Sequence, residues 1–229
     1  MATDFLDIGV ESGVATVVFG RPPVNAIDVD AMQQFTRVFG ELAERADVRV
    51  VILTGEGKNF CAGVDRKLFD APSSDVGDRA RFLSVHRAFF VAIREFPKPL
   101  IAAVNGPAIG AGFALAGSCD IMLASETAFF SMPEVLVGQA AGAAFITNLL
   151  GQSKGRRLFF TGDKIEAAEM KALGAIEACV PPAQLMEEAM KIAAPIAKID
   201  PRVMRAAKRN CLVAAEVPYL VAKALEYTS

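Results

Sequence analysis

The chain has 229 residues, of which 53% are apolar and 22% charged, and its 24 Lys+Arg against 26 Asp+Glu leave a net charge of −2. That length suits one domain, or one domain with a small appendage, and the apolar content supplies a sizeable core. The balance excludes a disordered chain, and without a basic surplus to neutralise phosphates it argues against nucleic-acid binding.

Residues 5–10 alternate apolar and polar side chains, and residues 14–19 are nearly all apolar. Ser12-Gly13 between them is a turn signal, so the pair reads as a hairpin. Arg21-Pro22-Pro23 stops the second strand, because proline cannot donate to a ladder. Asp28 or Asp30 can cap the next helix, whose apolar stripe is Met32, Phe35, Phe39, Leu42 and Ala46. The run 48–53 is β-branched and apolar, which predicts a buried strand. The breaker-rich segment 70–77 predicts a mobile loop. A second amphipathic helix follows over about 78–96, with Phe82, His86, Phe89 and Ile93 on one face.

Residues 100–104 predict another buried strand, then Asn105-Gly106-Pro107 and a helix of small residues. The stretch 99–119 carries no charge and is long enough to span a bilayer. Its prolines and glycines favour a buried strand, a turn and a packed helix instead, so no membrane segment is expected. Residues 121–124 and 128–131 read as short strands, and a helix begins near Gly142. Beyond Gly151 the pattern predicts mainly helix. Alternating strands and helices imply an α/β fold with right-handed crossovers.

The four cysteines stand at 61, 119, 179 and 211, and His86 is the one histidine. No zinc spacing exists, so no metal site is expected. Scattered cysteines, and an N-terminus that reads as neither signal nor transit peptide, point to the cytoplasm. No Gly-x-Gly-x-x-Gly, P-loop or Gly-x-Ser-x-Gly elbow is present.

Two strand-to-turn junctions carry the chemistry. They are Phe60-Cys61-Ala62-Gly63-Val64-Asp65 and Asn105-Gly106-Pro107-Ala108-Ile109-Gly110-Ala111-Gly112-Phe113. Small residues leave backbone N–H groups accessible, and two N–H groups converging on one point form an oxyanion hole. The second junction also opens a helix, whose N-terminus favours developing negative charge. Taken singly, each junction reads more readily as tight strand–helix packing.

Together with the acid in Met132-Pro133-Glu134, the two junctions resemble the crotonase family, the enoyl-CoA hydratases and isomerases. The likeness also runs through Arg21-Pro22-Pro23-Val24-Asn25-Ala26-Ile27, Val51-Ile52-Leu53-Thr54-Gly55, Lys98-Pro99-Leu100-Ile101, Cys119-Asp120-Ile121, Phe160-Thr161-Gly162 and Gly174-Ala175-Ile176. The resemblance implies a spiral of repeated ββα units over residues 1–190 holding an acyl-CoA site. A C-terminal helical segment, 191–229, would assemble a homotrimer or a dimer of trimers. The resemblance also implies an acyl-CoA ligand, with coenzyme A part of the thioester substrate and no separate cofactor expected.

Carried over position by position, the oxyanion donors are the backbone N–H groups of Val64 and Ala111. Residues Ala62, Gly63, Val64, Asp65, Arg66 and Lys67, with Gly110 and Ala111, border the CoA thioester, and Lys67 is available to a phosphate. The family's hydratases use two glutamates. The second matches Glu134, but the first falls on Ala114.

Hydration suits two carboxylates, whereas one base can move a double bond from the 3,4 to the 2,3 position. This favours a single-acid enoyl-CoA isomerase with Glu134 as proton shuttle, its pKa raised by an apolar surround of Met132, Val135, Leu136 and Val137. A hydratase with a substitute second acid and a non-catalytic acyl-CoA binder stay open. His86, Phe113 and Phe145 are candidate pocket residues, with a packed core histidine the alternative for His86. Asp65 is expected to brace its turn through backbone hydrogen bonds, and Cys61 and Cys119 to be small buried residues.

Overall fold

The structure is a computed structural model and describes residues 4–70 and 76–216. Strands β1 (Leu6–Glu11) and β2 (Val14–Phe19) form the hairpin, turning through Ser12 and Gly13, both at positive φ. Helix α1 (Val29–Glu44) starts at Asp28, whose side chain accepts the Ala31 N–H. Its buried face is Met32, Phe35, Phe39 and Leu42. Ala46, expected in that stripe, is exposed, because the helix ends at Glu44 and Arg45 is already extended.

Strand β3 (Val50–Gly55) and the short helix α2 (Lys67–Asp70) flank the first junction. Of the expected loop 70–77, Asp70 ends α2, Val76 and Gly77 open helix α3 (Val76–Arg94), and 71–75 lie outside the described residues. Strand β4 (Leu100–Val104), strand β5 (Ala108–Ile109) and helix α4 (Ala111–Gly117) follow. The uncharged stretch is thus divided among three elements, and no helix among the described residues is long and apolar enough to cross a membrane.

Strands β6 (Ile121–Ser125) and β7 (Phe129–Ser131) lead to a 3-10 turn, Pro133–Val137, and to helices α5 (Ala143–Leu150) and α6 (Gln152–Thr161). The remainder is not simply helical. Strand β8 (Lys164–Glu166) precedes helix α7 (Ala167–Ala172), and strand β9 (Ala178–Val180) precedes helices α8 (Leu185–Ala197) and α9 (Pro201–Glu216). Three-residue strands carry too short a pattern to be read as strands.

The main sheet has the order β1-β2-β3-β4-β6-β9, and a small sheet has the order β5-β7-β8. From β2 onward, neighbours in the main sheet are parallel. Three successive units each give one strand to the main sheet, then a second-layer partner, then helix. These are β3 with the Cys61–Ala108 bridge, β4 with β5, and β6 with β7.

Alternate residues of the main sheet feed two cores. Val51, Leu53, Ala102 and Val104 pack with α1 and α3, while Val50, Ile52, Ile101 and Ala103 pack with α8. Burial on both faces explains the continuous apolar runs. Phe35 anchors the first core, its ring 5.1 Å from Phe19 and 5.2 Å from Phe89, each edge-on. Such pairs add about 0.5–1.5 kcal/mol beyond area burial.

The division at 190/191 falls within α8, whose Leu185, Ala189 and Ala193 share the second core. Helix α9 is tied down by Lys208, whose Nζ donates to Lys98 O at 2.8 Å and pairs with Asp120 at 2.8 Å. The chain's last residues, from 217 on, lie outside the described residues.

Candidate active site

The two junctions leave the carboxyl ends of β3 and β4, where ligands bind in open parallel sheets. Asparagines knit these ends together. Asn105 Oδ1 accepts the Gly55 N–H at 3.0 Å, and its amide donates to Gly57 O at 3.0 Å. Asn25 is buried at φ 55° and donates to Glu56 O and Asn59 O at 2.9 and 2.8 Å. Asparagine tolerates the left-handed region through its short polar side chain.

The first junction runs between two neighbours. On one side Cys61 pairs with Ala108, the Ile109 N–H reaching Cys61 O at 2.9 Å. On the other side Val64 pairs with Ile27, through Ile27 N–H to Gly63 O at 2.7 Å and Asp65 N–H to Ile27 O at 2.8 Å. In a parallel bridge the groups flanking the paired residue bond to the partner, so that residue's own N–H points to the opposite edge. The Val64 N–H therefore turns away from Ile27, toward the side where the second junction lies.

The second junction closes on the first. A Cβ built on Gly63, at φ 91°, would stand 2.7 Å from Ile109 O and 3.5 Å from Ala111 N. A Cβ on Gly112 would overlap Cys61 O. These contacts require glycine, because any side chain would force the junctions apart. Ala111 is the first residue of α4, so its N–H has no carbonyl within the helix to bind. The Gly110 N–H is held by Ser131 O at 2.8 Å, which fixes the turn from β7.

Glu134 lies in the 3-10 turn after β7. Its Oε1 meets the Gly110 backbone so closely that a Cβ there would overlap it. Its Oε2 is buried and accepts no hydrogen bond from the described residues. Burial pushes its carboxyl above the ordinary glutamate value of 4.5, against the smaller opposing pull of its own backbone N–H. The apolar surround differs from expectation. Met132 is buried and Val135 packs on the core, but Leu136 and Val137 are 68% and 55% exposed. The 3-10 turn advances about three residues per turn, which carries these two outward while Glu134 faces in.

The remaining candidates separate into two groups. Ala62 is half-buried, its N–H on Val24 O at 3.1 Å. Asp65 Oδ1 accepts the Lys67 N–H at 3.1 Å and its Oδ2 accepts from Arg21 at 3.1 Å. First the Lys67 N–H and then Arg21 hold its carboxyl below the usual range, against some desolvation. Arg66 and Lys67 are exposed beside it.

His86 is half-buried on α3, its ring 5.6 Å from Phe82 and 4.9 Å from Phe90, and burial lowers its pKa. Both rings belong to the same helix, so these contacts pack His86 along α3. Phe113 is fully buried, 4.9 Å from Phe130 and edge-on to Phe145 at 5.1 Å. Phe145 also covers Gly117. Cys61 is fully buried, and its thiol is pushed up to about 12 by desolvation; Cys119 is half-buried, its thiol raised by the same cause. Arg21 and Asn25 also brace the site, and the signal for them in the sequence is a polar residue on either side of the Pro22-Pro23 turn.

A family model described as Enoyl-CoA hydratase/isomerase matches residues 9–226. The chain is 38% identical over 201 residues to the (7aS)-7a-methyl-1,5-dioxo-2,3,5,6,7,7a-hexahydro-1H-indene-carboxyl-CoA hydrolase of Mycobacterium tuberculosis, covering 86% of this chain and 80% of the relative. It is 34% identical over 204 residues to the short-chain-enoyl-CoA hydratase of Clostridium acetobutylicum, covering 87% and 77%. The crystal structure of an enoyl-CoA hydratase from Bacillus anthracis superposes with a TM-score of 0.89 at 29% identity, covering 98% of this chain and 90% of that one.

Proposed function

The chain belongs to the enoyl-CoA hydratase/isomerase family, and from that premise we propose that it shifts the double bond of a 3-enoyl-CoA to the 2,3 position with Glu134 as the single proton shuttle. The observation that supports this reading is the half-buried Glu134 carboxyl beside the Gly110–Ala111 turn, whose Oε2 is buried without a hydrogen-bond partner among the described residues, while Ala114 supplies no second acid.

In this reading the thioester carbonyl accepts from the Val64 and Ala111 N–H groups. Glu134 removes a proton from C2, and the electron pair spreads through the dienolate onto the thioester oxygen. The carboxyl then returns its proton at C4, which leaves the double bond at 2,3 and Glu134 ionised again. Each oxyanion donor contributes about 2.7–4 kcal/mol of barrier lowering in comparable sites. In the same proposal Ala62, Gly63, Asp65, Arg66 and Gly110 border the CoA thioester, and the exposure of Lys67 supports its availability to a CoA phosphate. Assay of a 3-enoyl-CoA with wild type and Glu134→Gln tests this. Equal turnover by the two proteins removes Glu134 from the mechanism.

Addition of water is the second reading, favoured by the names of the relatives, a hydratase and a hydrolase. It keeps the same carbonyl site and asks Glu134 to activate water. Formation of a 3-hydroxyacyl-CoA from a 2-enoyl-CoA, or uptake of one water by a bicyclic dioxo-carboxyl-CoA, would favour it over isomerisation. A passive acyl-CoA binder would exchange no C2 proton with deuterated solvent.

Assembly as a homotrimer or dimer of trimers belongs to the same proposal, with 191–229 as the assembling segment. Exposed Leu136, Val137 and Phe160 offer apolar surface to such contacts. Sedimentation equilibrium measures the assembly directly. Four free cysteines suit a cytoplasmic setting.

A further inference from the structure

We propose that Arg21 is a positioning residue for the carbonyl-binding site, its guanidinium clamping the 26–28 segment to Asp65 so that the Val64 N–H stays aimed at the thioester oxygen. The inference rests on the reading of Val64 as an oxyanion donor and deepens it.

Three groups surround the guanidinium. Nη1 donates to Ala26 O and to Asp65 Oδ2, both at 3.1 Å, and Nη2 donates to Asp28 Oδ2 at 2.5 Å. The backbone of Arg21 is fixed too. Its N–H donates to Asn25 Oδ1 at 2.9 Å, and its carbonyl accepts the Asn25 N–H at 2.8 Å. The Phe5 ring lies 5.8 Å from the guanidinium carbon. The side chain is therefore held at both ends and on one face.

What it joins is the Ile27–Val64 bridge. Ala26 and Asp28 flank Ile27 on one strand, and Asp65 follows Val64 on the other. Among the described residues, two backbone hydrogen bonds close this bridge, those of Ile27 N–H and Asp65 N–H. The only other backbone bond between these two segments among the described residues is the Ala62 N–H on Val24 O at 3.1 Å, on the far side of Gly63, so a side chain that grips both segments beyond Ile27 and Val64 helps fix the rotation of the peptides between them. Rotation of the Ala62–Val64 region is otherwise easy at Gly63, which sits at φ 91°. Asp28 has a double duty, since its Oδ1 caps α1 through Ala31 N–H while its Oδ2 receives Arg21. The clamp is thereby referenced to a sixteen-residue helix packed in the main core.

Arginine suits the task because its planar fork donates in several fixed directions at once, whereas a lysine ammonium acts as a point charge on a flexible stem. Arg21 does not reach the reacting atoms by this geometry. It acts through the Val64 peptide, and displacements of about 1 Å in such donors cost on the order of 100-fold in rate.

The test reads carbonyl polarisation directly. Isotope-edited infrared spectroscopy follows the stretch of a 13C-labelled thioester carbonyl in a saturated acyl-CoA bound to each protein. Wild type is expected to lower the frequency, and Glu134→Gln to keep that shift, because it removes the base and not the donors. Arg21→Gln is expected to lose most of the shift, with kcat reduced about 10–100-fold and KM nearly unchanged. Arg21→Lys should be intermediate, whereas a simple charge effect would be restored in full by lysine.

A full wild-type shift and kcat in folded Arg21→Gln overturns the clamp while leaving the carbonyl site intact. Absence of a shift in wild type overturns the carbonyl site and the clamp with it. Should Arg21→Gln fail to fold, Arg21→Lys carries the test, and a complete shift in that variant overturns the proposal.

Discussion

Glu134 Oε1 rests against the Gly110 backbone, in the space that a β-carbon on that residue would occupy. The relationship ties the acid to the N-terminus of α4, since Ala111 is the next residue. It also fixes the residue type. Gly110 has φ 55° and ψ −120°, a conformation that side chains disfavour, and it leaves room for a carboxylate oxygen next to an N–H that the helix does not use.

The pH dependence of activity follows from the burial of Glu134. A base must be ionised to take a proton, and burial raises this carboxyl above its ordinary value of 4.5. The acid limb of kcat/KM is therefore expected at a higher pH than for a solvated glutamate. Glu134→Gln should lower the rate about 100- to 10,000-fold and abolish that limb. Stability moves the other way. The folded state holds the proton more tightly than the unfolded chain, so Glu134 costs nothing below the unfolded value and destabilises as pH rises through the folded one. Glu134→Gln should accordingly unfold at a higher temperature than wild type at about pH 8, with the difference vanishing near about pH 4. Thermal unfolding at the two pH values measures this, and an equal difference at both would contradict it.

Gly63→Ala tests the meeting of the two junctions. The added carbon would stand 2.7 Å from Ile109 O on a backbone with positive φ, so either the junctions part or the peptide rotates. Both responses move the Val64 or Ala111 N–H, the groups proposed to donate to the thioester carbonyl. The expected cost is about 1–3 kcal/mol of stability in urea unfolding and about 100-fold or more in kcat. Wild-type turnover in this variant would show that the junctions need not touch.

Much of this site was legible because its chemistry is local in sequence. The junctions declared themselves as runs of small residues after buried strands, and Asp28 as a cap before an apolar stripe. What escaped was set by distant partners. The strands β8 and β9 are three residues each and exist by pairing with Phe129–Ser131 and Leu123–Ser125. Leu136 and Val137 look like pocket residues beside Glu134 in a linear reading, but the tight 3-10 turn points them outward. The Arg21 contacts join residues 21 and 65, a separation no periodicity reports.

Lys208→Met should loosen α9. The ammonium is buried, pairs with Asp120 at 2.8 Å and donates to Lys98 O at 2.8 Å. Asp120 also accepts the Leu100 N–H at 2.7 Å, so its charge stays at the start of β4 when the lysine is removed. Stripping one partner of a buried pair costs about 3–5 kcal/mol, and the partial exposure of Asp120 reduces that to roughly 1–3 kcal/mol here. Hydrogen exchange should quicken first in α9, while the β3 and β4 amides keep their protection. Uniform protection across α9 would mean that the helix is held by other contacts.

Ala114→Glu separates isomerisation from hydration. Ala114 is half-buried on α4, one turn from Ala111, and the sequence resemblance matches it to the first glutamate of the family's hydratases. Hydration needs a water held and protons moved at two carbons, which two carboxylates share more readily than one. A second carboxyl near the desolvated Glu134 also raises the pKa of one of the two by charge repulsion, which makes a proton donor of it beside a base. The variant is therefore expected to form 3-hydroxyacyl-CoA from a 2-enoyl-CoA at least about 10-fold faster than wild type, within the range of general acid–base effects. The same variant should show its activity limbs spread over two pKa values where wild type shows one. If wild type already hydrates rapidly and Ala114→Glu adds nothing, Glu134 suffices for water addition and isomerisation is not the preferred chemistry.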